Sequence, residues 1–374
     1  MIRKLALAIL FGLLTATPPA CASSIDSVLL SALTGTKTPA VGAVIIKNGK
    51  VTEIAVHGVR RNDGKDPVRL DDVWVIGSVA KPMTAAMIAR LVERGRLSWD
   101  SPLSKMLPGL VHDMRPEYRS VTLDELLSHR SGLPHDVSDM KFNDAFFDDN
   151  RPLPQQRLAY VRRALQERPA IPPGTGSSYS NTGFILAAVI AERATGVSYE
   201  QLMRREVFAP LGMRSAGFGP THEGQLMGHH AGRPATPRDS APLMMAPAGI
   251  VHMRLGDWAK FCVDQLAGAK GHGKLLSAAT YLLMQSPHPG TDVGLDWGVD
   301  PSVAGFKGPV LQHGGSDGNW RAIAILFPES GNGLLIGANT GQDMGGDVAA
   351  KGVFKALLPT VSAPVNGNAN GSAN

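Results

Sequence analysis

The sequence of 374 residues is poor in the features that would assign a class at once. It has 2 cysteines and 6% aromatic residues, and its charged share of 18% lies below the usual value of about 25%. No apolar run reaches the roughly 20 residues of a membrane-spanning helix, which excludes a multipass membrane protein. No repeat of 20 to 50 residues is visible either, so solenoids and propellers are excluded.

The sequence is rich in apolar residues and in the turn-forming residues glycine and proline. Its hydrophobic share of 43% is enough to bury a core, while 42 glycines and 27 prolines predict many turns. The length allows two lobes or one large domain.

The first 22 residues have the pattern of a secretory signal peptide. A basic pair precedes the apolar run of residues 5–14, and small residues fit cleavage after Ala22. The alternative is a lipid anchor on Cys21, which the two preceding prolines fit poorly. We therefore predict export to the periplasm or the medium, with no stable membrane insertion after cleavage.

The chain that remains after cleavage is nearly balanced in charge, with 35 basic and 32 acidic side chains. Its basic residues form nothing longer than pairs such as Arg60-Arg61, so no nucleic-acid partner is predicted. Cys262 is the only cysteine left, which excludes an intrachain disulfide and predicts a buried, inert thiol.

The apolar periodicity predicts strands at both ends of the chain and helices in the middle. Asn48-Gly49 marks a hairpin between two early apolar runs, and strand patterns return between residues 310 and 338. This order predicts an α+β fold in which both chain ends build one antiparallel sheet flanked by helices, with an all-helical lobe over about residues 83–250. The predicted domain covers residues 23–361, and residues 362–374 form a disordered tail.

The predicted helices and strands are the following segments: helices 27–33, 79–92, 123–127, 158–165, 184–194, 199–207, 258–266 and 348–358, and strands 41–46, 51–56, 310–312, 320–327 and 333–338.

A Ser-x-x-Lys pattern at Ser78-Val79-Ala80-Lys81 is the first candidate for chemistry. Three residues are nearly one helical turn, so the Lys81 ammonium would lie close enough to assist loss of the Ser78 hydroxyl proton. A simple helix cap is the structural alternative for Ser78. The second copy, Ser138 to Lys141, lies in a polar stretch without periodicity and is treated as coincidence.

Ser316 is a rival nucleophile because residues 314–318 spell Gly-x-Ser-x-Gly. That elbow requires a helix after the serine and a histidine later in the chain. A strand pattern follows instead, and no histidine follows His313. The elbow interpretation is therefore rejected.

Three motifs together resemble the serine β-lactamase and penicillin-binding-protein-like superfamily, in its class C-like branch. They occur in the family's order, and flanking segments are similar to it over about residues 27–358. The motifs are Ser78-Val79-Ala80-Lys81, Tyr179-Ser180-Asn181 and His313-Gly314-Gly315, and the flanks are residues 126–134, 172–174 and 247–249.

The resemblance implies roles for these residues. Ser78 would be the nucleophile, with Lys81 and Tyr179 managing protons, and the backbone N–H groups of Ser78 and Ser316 would form the oxyanion hole. Tyr179 and Asn181, two apart in an extended loop, would point the same way. A phenolate at Tyr179, favoured by Lys81, would act as general base, while Asn181 would orient Lys81 and the substrate.

The third motif departs from the family pattern. Many relatives have Lys-Thr-Gly here, which supplies a cation and a hydroxyl for a substrate carboxylate, whereas this chain has His313 and Gly314. Weaker carboxylate recognition is expected. Arg321 could replace the missing clamp, but the favoured interpretation is an exposed arginine on a strand. Gly315 is expected to let substrate approach the strand edge. A His313 with a purely structural role is the alternative.

These observations leave three hypotheses. The first is an exported serine hydrolase that cleaves an ester or amide through a Ser78 acyl-enzyme, with an esterase preference. The second is a D,D-carboxypeptidase, D-aminopeptidase or weak β-lactamase acting on cell-wall-type peptides. The third is a non-catalytic module that binds cell-wall fragments. No His-Glu-x-x-His or similar spacing occurs, so neither a metal nor another cofactor is predicted.

Overall fold

The computed structural model describes residues 24–362 except positions 269 and 304. The predicted signal peptide and tail lie outside the described residues, apart from Ser362, which ends the last helix. Across the described part of the chain, no helix combines the length and apolarity needed to cross a bilayer.

The strands are β1 (Ala40–Lys47), β2 (Lys50–Gly58), β3 (Trp74–Val75), β4 (Gly217–Phe218), β5 (His229–His230), β6 (Arg233–Pro234), β7 (Val251–Met253), β8 (Gly298–Val303), β9 (Phe306–Gly315), β10 (Arg321–Phe327) and β11 (Asn332–Ala338). The helices are α1 (Ile25–Leu33), α2 (Lys81–Glu93), α3 (Leu103–Met106), α4 (Leu123–Leu127), α5 (Met140–Asp144), α6 (Leu153–Ala164), α7 (Asn181–Thr195), α8 (Tyr199–Met203), α9 (Ala209–Leu211), α10 (Leu255–Gly268), α11 (Ala278–Gln285) and α12 (Gly346–Ser362).

The two ends of the described chain meet in one antiparallel sheet of six strands, in the order β2-β1-β11-β10-β9-β8. Val41 of β1 lies opposite Ala338 of β11, and the register continues to Ile46 opposite Gly333. The predicted α+β fold, with a sheet built from both chain ends, is thus confirmed.

Helices cover both faces of this sheet, which explains why β1 is almost wholly apolar. Val41, Ala43 and Ile45 pack on the side of α1 and α12. Val44 and Ile46 point the other way and join the core shared with α10 and the helical lobe. The alternation follows the two-residue period of a strand.

Two buried helices form the centre of the helical lobe. Nearly every side chain of α2 and α7 is buried. Ser180 caps the start of α7 by accepting a hydrogen bond from the Gly183 N–H, and Gly196 ends it in the left-handed conformation. These two helices carry functional candidates at their N-terminal ends.

A buried ion cluster ties the lobe to a short 3₁₀ segment, Leu243–Ala248, that borders the candidate site. The guanidinium of Arg157 in α6 is fully buried and pairs with Glu192 at 2.5 Å and Glu200 at 2.9 Å. It also donates to the carbonyl of Met244 at 3.5 Å. A buried charge of this kind is tolerated only when fully paired, so the cluster fixes α6, α7 and this segment together.

The differences from the predicted elements have local causes. β8 escaped prediction because its Asp300 and Pro301 break the apolar alternation, which is tolerated on an edge strand. β3, β7 and β4 form a small second sheet whose strands are too short to give a pattern. The predicted helical lobe also contains three two-residue strands, β4, β5 and β6. Cys262 is buried in α10 as predicted, and burial raises the pKa of its thiol.

Candidate active site

Ser78 lies on a tight 3₁₀ turn, Gly77–Ala80, just before α2. Gly77 has a φ of +55°, which favours glycine. A Cβ on Gly77 would also come within 2.5 Å of the Ser316 nitrogen. The turn is therefore pressed against the end of β9, and Ser78 lies where the sheet meets the helical lobe.

Lys81 is the first residue of α2 and is fully buried. Its ammonium donates to the Ser78 Oγ at 2.9 Å and to the Ala248 carbonyl. Burial lowers the pKa of Lys81 to about 8, although the carboxylates of Asp296 and Asp136 act in the opposite direction. The structure thus brings the two predicted side chains into contact, and the Lys81 amine is partly neutral near physiological pH.

Tyr179 lies next to Lys81. The Lys81 Nζ is 4.8 Å from the centre of the Tyr179 ring, and the centres of the His129 and Tyr179 rings are 4.5 Å apart. Burial raises the pKa of the Tyr179 hydroxyl well above its usual range, Asp296 raises it further, and hydrogen bonding with Ser78 acts the other way. The expected phenolate is therefore disfavoured, because burial of the hydroxyl and the charges of Asp296 and Asp136 all raise the pKa of Tyr179.

Asn181 does not share the orientation of Tyr179. The extended segment ends at Ser180, and α7 begins with Asn181, so the two-residue alternation stops between the two side chains. The Asn181 Nδ2 donates to both Asp136 oxygens at 3.2 Å. Asn181 thus holds Asp136 at the mouth of the site, and its amide nitrogen is not directed at Lys81.

His313 is buried on β9, with 8% of its side chain exposed. Its Nε2 lies 2.9 Å from one Asp296 oxygen, and the other Asp296 oxygen is 2.7 Å from the His129 Nε2. Sequence reasoning assigned no role to His129 or Asp296. His129 stood inside a segment already similar to the family, whereas Asp296 carries no motif.

Gly315 is needed for packing, and its part in substrate approach stays a prediction. A Cβ there would meet the Ile76 carbonyl oxygen at 2.3 Å and the Val79 nitrogen at 2.9 Å. The absent side chain lets β9 lie directly on the turn that carries Ser78. Ser316, the next residue, lines the same cavity as Ser78.

Two cavities adjoin the candidate catalytic residues, one lined by Ser78 and the other by Tyr179. The cavity at Ser78, here called the nucleophile cavity, has a volume of about 290 Å³ and is also lined by Asn181, Asp136, Asp144 and Asp317. None of the described residues that line it is Lys, Arg or His. Burial raises the pKa of Asp317, and the Ser240 hydroxyl donates to it at 2.9 Å.

The second cavity, here called the tyrosine cavity, has a volume of about 460 Å³. It is lined by Tyr179 and by the buried Asp296. It is also lined by four cationic or protonatable side chains, namely His129, His313, Arg321 and Lys351. Arg321 is paired there with Asp347 at 3.2 Å.

The second Ser-x-x-Lys copy does not form a catalytic pair. The Ser138 hydroxyl donates to Glu167 at 2.9 Å, and Asp139 caps α5. The helix does matter, however, because Met140 and Asp144 from it line the nucleophile cavity.

No metal site is evident in the described residues, where no three His, Cys, Asp or Glu side chains are grouped to hold an ion. The sequence-based expectation of no metal or cofactor remains a prediction.

Comparisons with known proteins match most or part of the chain, depending on the relative. The family model described as Beta-lactamase matches residues 26–357. Penicillin-binding protein 4 of Amycolatopsis lactamdurans is 28% identical over 311 residues, which cover 78% of this chain and 78% of that protein. Esterase EstB of Burkholderia gladioli is 30% identical over 222 residues, covering 54% of this chain and 55% of that protein.

Two further matches extend this picture. D-alanyl-D-alanine-carboxypeptidase/endopeptidase AmpH of Escherichia coli (strain K12) is 24% identical over 306 residues, covering 79% of this chain and 78% of that protein. The solved structure of the octameric penicillin-binding protein homologue from Pyrococcus abyssi superimposes with a TM-score of 0.72 at 24% identity. It covers 90% of this chain and 76% of that one, which supports the fold.

The chain belongs to the beta-lactamase family. This confirms the resemblance inferred from the motifs at Ser78, Tyr179 and His313. It also makes the protein a serine hydrolase, and the hypothesis of a non-catalytic binding module is set aside.

Proposed function

We propose that the protein is an exported serine hydrolase that cleaves esters, and more slowly amides, through an acyl-enzyme on Ser78. The observation that carries the chemistry is the 2.9 Å contact between the Ser78 Oγ and a fully buried Lys81. Because burial lowers the pKa of Lys81 to about 8, its neutral amine is available to accept a proton.

In the first step, the neutral Lys81 amine takes the Ser78 hydroxyl proton while the Ser78 oxygen attacks the substrate carbonyl. The developing oxyanion is received by the backbone N–H groups of Ser78 and Ser316, which the packing of Gly77 on Ser316 brings together. Each such donor contributes about 3–4 kcal/mol in comparable sites.

Collapse of the intermediate breaks the bond to the leaving group, which must receive a proton. Tyr179 suits this step because its phenol is protonated, and Lys81 beside its ring can restore that proton. Water then attacks the acyl carbon while the neutral Lys81 amine takes one of its protons. Lys81 passes that proton to the Ser78 oxygen as the acyl–oxygen bond breaks, and the carboxylic acid leaves. The net reaction is hydrolysis, with no other reactant required.

The acyl preference follows from the charge of the nucleophile cavity. Asp136, Asp144 and Asp317 line it without a basic side chain among the described residues. A penicillin-type substrate brings a carboxylate, which such a cavity repels, whereas neutral and positively charged acyl groups are accepted. Ester hydrolysis should therefore exceed β-lactam hydrolysis.

The same acidic lining favours a second candidate function, D-aminopeptidase activity. The free amino group of a D-amino-acid amide or ester would be attracted by Asp136 and Asp144. The carboxylate of a D,D-carboxypeptidase substrate would instead be repelled by these aspartates. Hydrolysis of D-alanine p-nitroanilide, compared with a D-alanyl-D-alanine peptide, separates these two activities.

The test is to trap the acyl-enzyme. Purified protein is incubated with p-nitrophenyl butyrate, quenched and digested, and the peptide that carries Ser78 is expected to gain a butyryl group by mass spectrometry. In parallel, kcat/KM for this ester is compared with that for nitrocefin. An acyl group found on another residue, or faster turnover of nitrocefin, would show the proposal to be wrong.

A further inference from the structure

A single buried carboxylate connects the two lobes beside the proposed catalytic residues. Asp296 lies in the turn before β8, and its side chain is 1% exposed. One oxygen is 2.7 Å from the Nε2 of His129, which follows α4 in the helical lobe. The other is 2.9 Å from the Nε2 of His313 on β9. Neither sequence motifs nor the proposed mechanism gives Asp296 a role.

The backbone at both ends of the first contact is unusual. Asp296 has a φ of +68° and His129 a φ of +60°, and they are two of the four described non-glycine residues with positive φ. Each such conformation costs roughly 1–3 kcal/mol and persists only where the surroundings hold it in place. Strain of this size on two residues in direct contact indicates that their relative placement matters.

Hydrogen bonding defines the tautomer of His129. The Ser180 N–H donates to its Nδ1 at 3.1 Å, so Nδ1 is an acceptor and the proton is on Nε2. That proton is donated to Asp296. Burial lowers the pKa of His129, with Asp296 acting in the opposite direction, so the ring is a neutral donor held at both nitrogens.

The ring fixed in this way supports Tyr179. The centre of the Tyr179 ring lies 4.5 Å from that of His129 and 5.6 Å from that of His135. A displaced His129 would leave Tyr179 free to turn away from Ser78. Asp296 therefore acts on the hydroxyl of Tyr179 through His129, without contact with the substrate.

The charge of Asp296 acts on the same residues. Burial would raise its pKa, but the nearby His313 and the hydrogen bond from His129 outweigh this and lower it to about 2, so the carboxylate stays ionised. Its charge raises the pKa values of Lys81 and Tyr179, as does that of Asp136. The groups facing Lys81 are thus Ser78 and Tyr179 together with these two carboxylates.

We infer that Asp296 is a positioning residue of the active site, a single carboxylate that orients His129 beneath Tyr179 and anchors His313 at the end of β9 that leads to Ser316. The inference rests on the proposed Ser78 chemistry. It assigns a function to the histidine that replaces the lysine of many relatives, namely to tie β9 to Asp296.

The test compares wild type, Asp296→Asn and Asp264→Asn with p-nitrophenyl butyrate as substrate. Asp296→Asn is expected to lower kcat at least about 10-fold, typical of a displaced catalytic group, with KM changed less than about 3-fold. The acid limb of its kcat profile should move to lower pH, because without the carboxylate charge Lys81 loses its proton more easily. Asp264 is a buried aspartate in α10, bonded to Tyr281 and lining neither cavity, so its variant should be less stable but keep the wild-type profile.

Asp296→Glu covers the case in which Asp296→Asn does not fold. It keeps the charge but displaces the oxygens, so kcat should fall while the acid limb stays at the wild-type pH. A folded Asp296→Asn or Asp296→Glu protein with the kcat and pH profile of wild type overturns the inference. Wild-type protein is labelled with a fluorophosphonate in the same series: labelling at Ser78 with unaffected Asp296 variants refutes this inference alone, whereas an unlabelled and inactive wild type refutes the proposed function as well.

Discussion

The nucleophile cavity and the tyrosine cavity differ in the chemistry of their walls. The nucleophile cavity is lined by Ser78 and by three aspartates. The tyrosine cavity is lined by two histidines, an arginine and a lysine, together with the buried carboxylate of Asp296. The nucleophile therefore lies in the cavity whose lining has acidic but no basic side chains among the described residues.

Both lobes contribute to each cavity. Asp136 of the nucleophile cavity comes from the helical lobe and Asp317 follows β9, while the tyrosine cavity combines Tyr179 of the helical lobe with His313 on β9. Substitutions in either lobe can therefore change the charge of both cavities without changing the fold.

The largest effect is expected from removing the nucleophile, which tests whether the chemistry takes place in the nucleophile cavity. Ser78→Ala should lower kcat/KM for p-nitrophenyl butyrate by at least about 10⁴-fold, since Ser78 is the cavity serine whose hydroxyl contacts the buried Lys81 amine. The matched control is Ser138→Ala, which alters the second Ser-x-x-Lys copy and removes only a hydrogen bond to Glu167. Its activity should stay within about threefold of wild type. Equal losses in both variants would place the chemistry elsewhere.

The second prediction concerns the Lys81 amine beside Ser78. The pKa of Lys81 is lowered to about 8, and only its neutral form accepts the Ser78 proton, so kcat/KM should rise with pH and level off above about 8. Below that pH the amine is protonated and activity falls. Lys81→Arg, which stays protonated, should lose about 10²–10⁴-fold at every pH. A profile that stays flat from pH 6 to 9 contradicts this role.

The third prediction compares adjacent glycines at the boundary between the cavities. Gly315→Ala places a methyl group 2.3 Å from the Ile76 carbonyl oxygen and should lower the free energy of unfolding by about 1–3 kcal/mol, with a fall in kcat. Gly314→Ala meets only the Arg321 guanidinium, at 3.4 Å, and should be nearly neutral. Urea unfolding of both variants measures the difference. The opposite order of stability would contradict the packing described for β9.

The smallest expected effect concerns charge alone. Asp144→Asn removes one exposed negative charge from the nucleophile cavity and should raise kcat/KM for nitrocefin, relative to that for the butyrate ester, about two- to fivefold at low salt. Asp100→Asn makes the same change on an exposed site that lines neither cavity. Its ratio should not move. A ratio that also stays constant for Asp144→Asn would remove the electrostatic basis of the ester preference.

Much of the fold could be predicted because periodicity and turn signals agree. The hairpin at Asn48-Gly49, the helix after Ser78 and the returning strands all have strong local patterns. Ser78 and Lys81 could be found because their spacing within one turn fixes their distance.

The rest of the site depends on contacts between distant segments, which local patterns do not encode. Asp296 is 167 residues from His129 in the sequence, and the residues next to Asp296 form no motif that would predict a functional carboxylate. The protonated state of Tyr179 likewise follows from burial and from Asp296, neither of which can be read from the Tyr179-Ser180-Asn181 motif. Asp144 was assigned to an aperiodic polar stretch because α5 is only five residues long.

The pairing of β1 with β11 also has a consequence for biosynthesis. Strand β1 is complete by residue 47, but its partner begins at Asn332. A ribosome adding about 5–20 residues per second needs roughly 15–60 s to cover that interval. During this time an apolar strand with an open edge has only β2 beside it, and the high sequence separation makes closure of the sheet slow. The nascent chain therefore depends on shielding of β1 until its last strand is made.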